Sequence, residues 1–369
     1  MKTAKAPYED GEDVERGVNC VDVLLCYLLT SIHMGLQKSQ DESIVRTKAT
    51  NLQNMEILSN LTSTFPNFLL AGIPGLESAH TWISIPFGCL YAIALSGNSM
   101  ILFVIITHQS LHEPMYYFLS MLSATDLGLT VSTMSTTLAI LWFNAREISL
   151  DSCIIQMFFL HGFTVMESGV LVAMAFDRYV AICDPLRYTT ILTNSRVIQM
   201  GTLMIIRSVV LIAPLLLLLK PLYFCRANIL SHSYCYHPDV IKLACSDTRA
   251  NSICGLIDLI LTTGVDTPCI VLSYILIIRS VLSMASPKEQ HKVFSTCMSH
   301  IGAVAIFYIP MMSLSLVHRY GQSAPKVVHS MMANIYLLLP PVLNPIIYSV
   351  KTKQIRKAIL SLLLATKQR

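Results

Sequence analysis

Charged residues are scarce in this chain. Asp, Glu, Lys and Arg make up 13% of 369 residues, against 53% hydrophobic residues, whereas soluble domains carry roughly 25% charge. That balance excludes an ordinary water-soluble domain and points to a bilayer. The net charge is only +4, with no sign of a nucleic-acid surface. No twofold internal repeat or pair of interrupted segments is present, as a secondary transporter would carry around a midplane site. No convergent catalytic set is present either. The histidines at 108, 112, 161, 232, 237, 291, 300, 318 and 329 are scattered over many segments. His108 and His112 have the i, i+4 spacing of a zinc pair, but they lie in a polar loop without a third ligand. Neither an enzyme nor a transition-metal site is expected.

The N-terminal stretch does not read as a signal peptide. Its one apolar patch, Val23–Leu29, is too short to span and is preceded by acids where bases are needed. An eighth membrane segment over roughly Val18–Met34 would reverse the topology or require a hairpin, and Asp22 and His33 argue against it. Residues 1–54 are therefore expected to be a disordered extension and 55–81 an extracellular segment. Asn60-Leu61-Thr62 there is a glycosylation acceptor, usable only outside the cell.

What the chain does have is long apolar runs. A helix needs roughly 20 mostly apolar residues to cross the hydrocarbon core. Seven runs qualify, near Trp82–Thr107, Pro114–Phe143, Cys153–Ile182, Val197–Leu219, Asn251–Leu282, Lys292–Val317 and Val327–Val350. The expected fold is an all-α seven-transmembrane bundle over 82–350, followed by a cytoplasmic segment at 351–369. With the N-terminus outside, the inner loops and tail hold twelve Lys and Arg, from Arg178 to Arg369, against seven in the outer loops, from Arg146 to Lys326. Basic residues are retained inside, which favours a cytoplasmic C-terminus and a multi-pass plasma-membrane protein.

Eleven cysteines are present. Cys153 opens the third run, and Cys225, Cys235 and Cys245 lie ten residues apart in the loop after the fourth. In an oxidising space these four can form two bridges, and spacing alone leaves three pairings open. Cys89, Cys183, Cys269 and Cys297 read as small buried hydrophobes.

The third run ends in Met174–Tyr188, MAFDRYVAICDPLRY. An arginine at such depth is a functional candidate unless it only anchors a helix end. This string resembles the cytoplasmic end of the third helix of rhodopsin-like G-protein-coupled receptors, and of olfactory receptors in particular. Gly97-Asn98, Leu111–Tyr116, Ser273-Tyr274, Ser299-His300, Phe307-Tyr308 and Asn344-Pro345-Ile346-Ile347-Tyr348 resemble the same family in order and spacing. Leu69–Glu77 and His232-Ser233-Tyr234-Cys235 are similar to its class I branch. The resemblance covers about Phe65 to Leu364. Members usually begin nearer Met55, so translation from Met55 is a second expectation.

The resemblance implies the bridges Cys153–Cys235 and Cys225–Cys245. It implies a resting pair Asp177-Arg178 beside Tyr179, released by movement of the sixth helix around Tyr308 so that Arg178 meets Tyr274, Tyr348 and a heterotrimeric stimulatory olfactory G protein, with Asn344 and Pro345 in the seventh helix. Asn98, Asp126, Glu167 and Asn344 resemble an interior sodium cluster. Carboxylates so deep must be protonated, paired or ion-bound, and a hard cation prefers oxygen ligands. The resemblance thus implies a regulatory sodium ion, with no other cofactor expected. Alternatively, one acid stays neutral and hydrogen-bonded. Lys351–Leu364, basic and apolar at helical spacing, should form a short amphipathic helix on the inner surface.

The expected pocket opens outward between the third, fifth and sixth helices. His161, His237, Gly255, Asp258, Leu259, Ser315 and Arg319 are its candidate residues. Arg319 suits a carboxylate ligand, unless it snorkels into water, while Asp258 opposes one. A fatty acid and a neutral polar odorant such as an aldehyde or alcohol both remain open, as does a non-olfactory chemosensory receptor for a small metabolite. Production of cyclic AMP is the expected output.

Overall fold

The computed structural model describes residues 67–75, 79–225, 228–284, 286–320 and 325–367. The N-terminal extension and Asn60 lie outside these described residues. Seven long helices are α1 His80–Thr107, α2 Pro114–Phe143, α3 Leu150–Cys183, α4 Asn194–Leu217, α5 Arg249–Leu282, α6 Pro287–Tyr320 and α7 Lys326–Lys351, with a shorter α8 at Lys353–Lys367. Their ends fall within a few residues of those read from the apolar runs, α6 excepted, which starts five residues earlier.

Six of the seven are long and apolar enough to cross a membrane by themselves. The other, α2, is 30 residues long but rich in Ser and Thr. Its hydroxyls return to their own backbone, with Thr125 donating to the Leu122 carbonyl, Thr130 to Asp126 and Ser132 to Gly128 at 2.5–2.7 Å. Low hydropathy therefore does not leave these hydroxyls unsatisfied in α2.

Burial is inverted relative to a soluble protein. Trp82, Phe103, Ile106, Phe143 and Leu203 face outward, while Asn98, Asp126, Glu167, Asp177 and Asn344 are almost fully enclosed. An apolar exterior around a polar interior suits lipid as the surrounding solvent. Two of the four free cysteines read as buried, Cys89 and Cys269, instead lie exposed on this outer surface, whereas Cys297 is buried and Cys183 half-buried. In lipid, an apolar outward position is as favourable for a thiol as a buried one.

A small sheet departs from the all-α expectation. β1 Asn67–Leu70 pairs antiparallel with β2 Glu147–Ser149 and parallel with β3 Ile229–Leu230. Phe68 meets Phe224 edge to face at 5.2 Å, anchoring the sheet on the loop beyond α4. The chain then turns through Gly72 and Gly75, whose φ of +70° and +81° suit glycine. Ser330 Oγ of α7 donates to the Gly72 carbonyl at 2.7 Å.

At the opposite approach of α7 to α1, Gly97 faces the Pro345 ring. A Cβ on Gly97 would lie 2.9 Å from two of its carbons, so glycine permits the contact. Pro345 has no N–H to give the Pro341 carbonyl. Asn98 Nδ2 supplies that donor at 2.8 Å and also bonds the Ala94 carbonyl at 2.9 Å.

Candidate functional site

The loop between α4 and α5 is held against α3 from several directions. Cys153–Cys235 bridges it to the start of α3, with Cα atoms 5.5 Å apart, and Cys225–Cys245 closes the loop on itself at 5.8 Å. Gln156, one turn from Cys153, accepts from the Cys235 N–H at 2.8 Å and donates to the Ser132 carbonyl and Thr136 Oγ1 of α2, each at 2.9 Å. One side chain thus joins α2, α3 and the loop.

Beneath that loop is a cavity of about 340 Å³, within the usual range of small-ligand sites. It contains six of the seven residues proposed for the pocket: His161 from α3, His237 from the loop, Gly255, Asp258 and Leu259 from α5, and Ser315 from α6. On α5, Gly255, Asp258, Leu259 and Thr262 follow i, i+3, i+4, i+7 spacing and so share one face. The seventh residue, Arg319, is near the end of α6, with its side chain outside the described residues. His318, Tyr236, Lys242, Asn251 and Tyr336 also line the cavity and were not read from the sequence. The i, i+3 spacing of Ser315 and His318 was the available signal for one of them. Burial, with the neighbouring His161 second, drives the His237 imidazole down to about 3, so it is neutral at ordinary pH.

Directly below the cavity, α5 opens into a π turn over Ile260–Gly264. Such turns disturb the regular carbonyl pairing, and here other helices take up two carbonyls. Arg207 of α4 donates to the Leu261 carbonyl at 3.0 Å, and Ser168 of α3 to that of Thr262 at 3.2 Å. Arg207 also pairs with Asp266 of α5 at 2.8 Å; Ser168 Oγ donates to the same carboxylate at 2.5 Å and lies 2.8 Å from the Tyr308 hydroxyl of α6. Four helices meet in this network. Of its members only Tyr308 was named from sequence. Arg207, the lone charge in its apolar run, and Asp266, one of two acids in the next, were the signal to follow.

Further along, Asn344 Nδ2 of α7 donates to Asp126 Oδ2 of α2 at 3.0 Å. Glu167 is fully buried nearby, close enough to Asp126 and Asn344 to feel both. Five oxygens there have no hydrogen-bond partner: Asn98 Oδ1, Asp126 Oδ1, Asn344 Oδ1 and both of Glu167. Asp126, Glu167 and Asn344 are therefore brought to one region, and Asn98 bonds the Pro341 carbonyl, three residues before Asn344 on α7.

At the far end a second cavity of about 690 Å³ is lined by Asp177, Arg178, His300 and Tyr348 together with Lys288, Lys351 and Lys353. Arg178 is paired with Asp177 through Nη2 and, at 2.9 Å, through Nε. Tyr188, beyond α3, donates to the other Asp177 oxygen at 2.7 Å. Burial and then the Asp177 charge hold the Tyr188 phenol above its ordinary value, which keeps it a donor. Tyr274, expected to meet Arg178 only once α6 has moved, here shares a 2.5 Å hydrogen bond with His300 Nδ1. The Tyr348 hydroxyl is buried without a hydrogen-bond partner, and Tyr179 is half-buried against the core.

A family model described as olfactory receptor matches residues 87–366. The chain is 84% identical to human olfactory receptor 51F1 over 314 residues, covering 85% of this chain and 98% of that one. The chain belongs to the olfactory receptor family. It is also 65% identical to human olfactory receptor 51F2, across 84% of this chain and 91% of the relative. Squid rhodopsin shares the fold, with a TM-score of 0.64 at 16% identity over 80% of this chain and 87% of that one. As a family member the protein is a multi-pass membrane receptor that senses odorants and couples to a G protein; it is not an enzyme. The 340 Å³ cavity and the Arg178 cavity thus lie towards the two ends of one receptor, and the polar network lies between them.

Proposed function

We propose that this receptor binds a small odorant with a polar head group in the 340 Å³ cavity and, through the Arg207–Asp266–Ser168–Tyr308 network, drives α6 away from Arg178. A heterotrimeric stimulatory olfactory G protein would then enter the 690 Å³ cavity and raise cyclic AMP. The observation that carries this reading is the position of the π turn, with Asp258, Leu259 and Thr262 at the ligand and Leu261, Thr262 and Asp266 in the network. An odorant that binds the rearranged form more tightly shifts the population toward it. The proposed orientation puts Cys235 outside and Arg178 in the cytoplasm, in line with the distribution of Lys and Arg. A carboxylic acid would need a basic partner such as Arg319, whereas Asp258 favours a head group that donates hydrogen bonds.

A regulatory sodium ion suits the five unpartnered oxygens around Asp126 and Glu167, since hard cations take oxygen ligands. Sodium would stabilise the resting form. Asp126→Asn is expected to make activation indifferent to sodium concentration; unchanged sodium sensitivity would remove Asp126 from such a site. The functional test is cyclic AMP production in cells carrying the receptor and the stimulatory G protein. An odorant-dependent rise that Arg178→Ala abolishes at equal surface expression supports the reading, and a rise undiminished by Arg178→Ala overturns it. A non-olfactory role as sensor of a small metabolite would use the same cavity and would be distinguished by the ligand that activates it.

A further inference from the structure

We propose that the odorant is a small aliphatic amine, its ammonium group held by Asp258 and its hydrocarbon chain by Val165, Leu215 and Leu259. The inference rests on the receptor reading above and specifies its ligand. Asp258 lines the cavity from α5, and its Oδ1 is buried without a hydrogen-bond partner. The charge of Arg207 on α4 reaches Asp258, but the hydrogen bonds of that arginine go to Asp266 and the Leu261 carbonyl. Lys242 lines the same cavity from the loop, where Asp239 is the carboxylate acting on it.

The rest of the polar lining agrees. His161 Nε2, His237 Nε2 and His318 Nε2 face burial without partners, and all three residues line this cavity. His237 is 3% exposed, and a neutral imidazole offers an acceptor nitrogen in one of its two tautomers. An ammonium carries three donors and no acceptor. Its three donors match in number a carboxylate and two imidazole nitrogens that line the same cavity. A carboxylate ligand brings only acceptors and a second negative charge beside Asp258, and an aldehyde brings one acceptor and no donor. Burying an unpaired charge is expensive, so an incoming cation relieves Asp258 while an incoming anion aggravates it.

The test compares a straight-chain amine, alcohol, aldehyde and carboxylic acid of equal carbon number on the full-length receptor. Two readouts are used: cyclic AMP in cells and ligand-induced thermal stabilisation of purified receptor in detergent, which needs no G protein. The amine is expected to be the most potent and to raise the melting midpoint. Asp258→Asn, at matched surface expression, should weaken the amine on the order of 10- to 100-fold, as for loss of a charge-assisted hydrogen bond, with potency kept in Asp258→Glu. The alcohol should change less than about threefold. An amine that neither stabilises nor activates, an acid more potent than the amine, or an amine potency untouched by Asp258→Asn overturns the proposal. Stabilisation by the amine without any cyclic AMP supports the ligand class and counts against the stimulatory coupling alone.

Discussion

Arg207 of α4 and Asp266 of α5 form an ion pair at 2.8 Å inside the bundle, and the same arginine caps a carbonyl of the π turn beneath the ligand cavity. Asp266 is 6% exposed at its side chain and Arg207 29%. Both charges depend on each other, since removing one partner of a buried pair leaves the other uncompensated.

Arg207→Met and Asp266→Leu are each expected to destabilise the receptor, toward the lower part of the ~3–5 kcal/mol typical of a broken buried pair. The double replacement should lose less than the sum of the singles. Thermal unfolding in detergent measures this as a double-mutant cycle. Additive losses would mean that the two residues act independently.

Asp177 holds both Arg178 and Tyr188. Tyr188→Phe removes one hydrogen bond from the resting arrangement and should raise ligand-free cyclic AMP about 2- to 10-fold, the ratio matching the roughly 0.5–1.5 kcal/mol of one bond. Asp177→Asn should raise it further because it also removes the charge opposing Arg178. Basal signalling below that of the parent in both variants, at equal surface expression, would show that Tyr188 supports the active form.

His237 predicts a pH dependence of known sign. Its folded value of about 3 lies below the ordinary histidine value near 6.5. Between those values the unfolded chain binds a proton that the folded one refuses, so stability is lost as pH falls through that window, by up to about 1.4 kcal/mol per pH unit. Melting midpoints taken at pH 7.5 and 5.5 should therefore differ less in His237→Gln than in the parent. His161, Asp258 and Lys242 share the cavity and are unchanged in the comparison. Equal drops would assign the acid sensitivity elsewhere.

Much of this architecture was legible because lipid imposes a simple length rule. Even α2 stood out, although its Ser and Thr content hides it from a hydropathy criterion, because most of its polar groups are hydroxyls that can bond their own backbone along the helix. The sheet was not legible: β3 has two residues and its partner Leu69 is 160 positions away, so no local pattern announces it. The π turn was hidden for a similar reason, being stabilised by Arg207 and Ser168 from other helices. Five of the cavity-lining residues could be named since their positions along the apolar runs put them at one end, and His237 because it follows the bridging Cys235. The Arg207–Asp266 pair was missed because each charge is tolerable in its own apolar run and only the fold brings the two together.

Topology offers the most direct measurement. Arg249 lies at the start of α5 beside the ligand cavity, and Lys353 at the start of α8 lines the Arg178 cavity; both side chains are exposed. In intact cells, a membrane-impermeant thiol reagent should label Arg249→Cys and should reach Lys353→Cys only after the plasma membrane is opened. Equal labelling of both before permeabilisation would contradict a receptor that takes its odorant on one side and its G protein on the other.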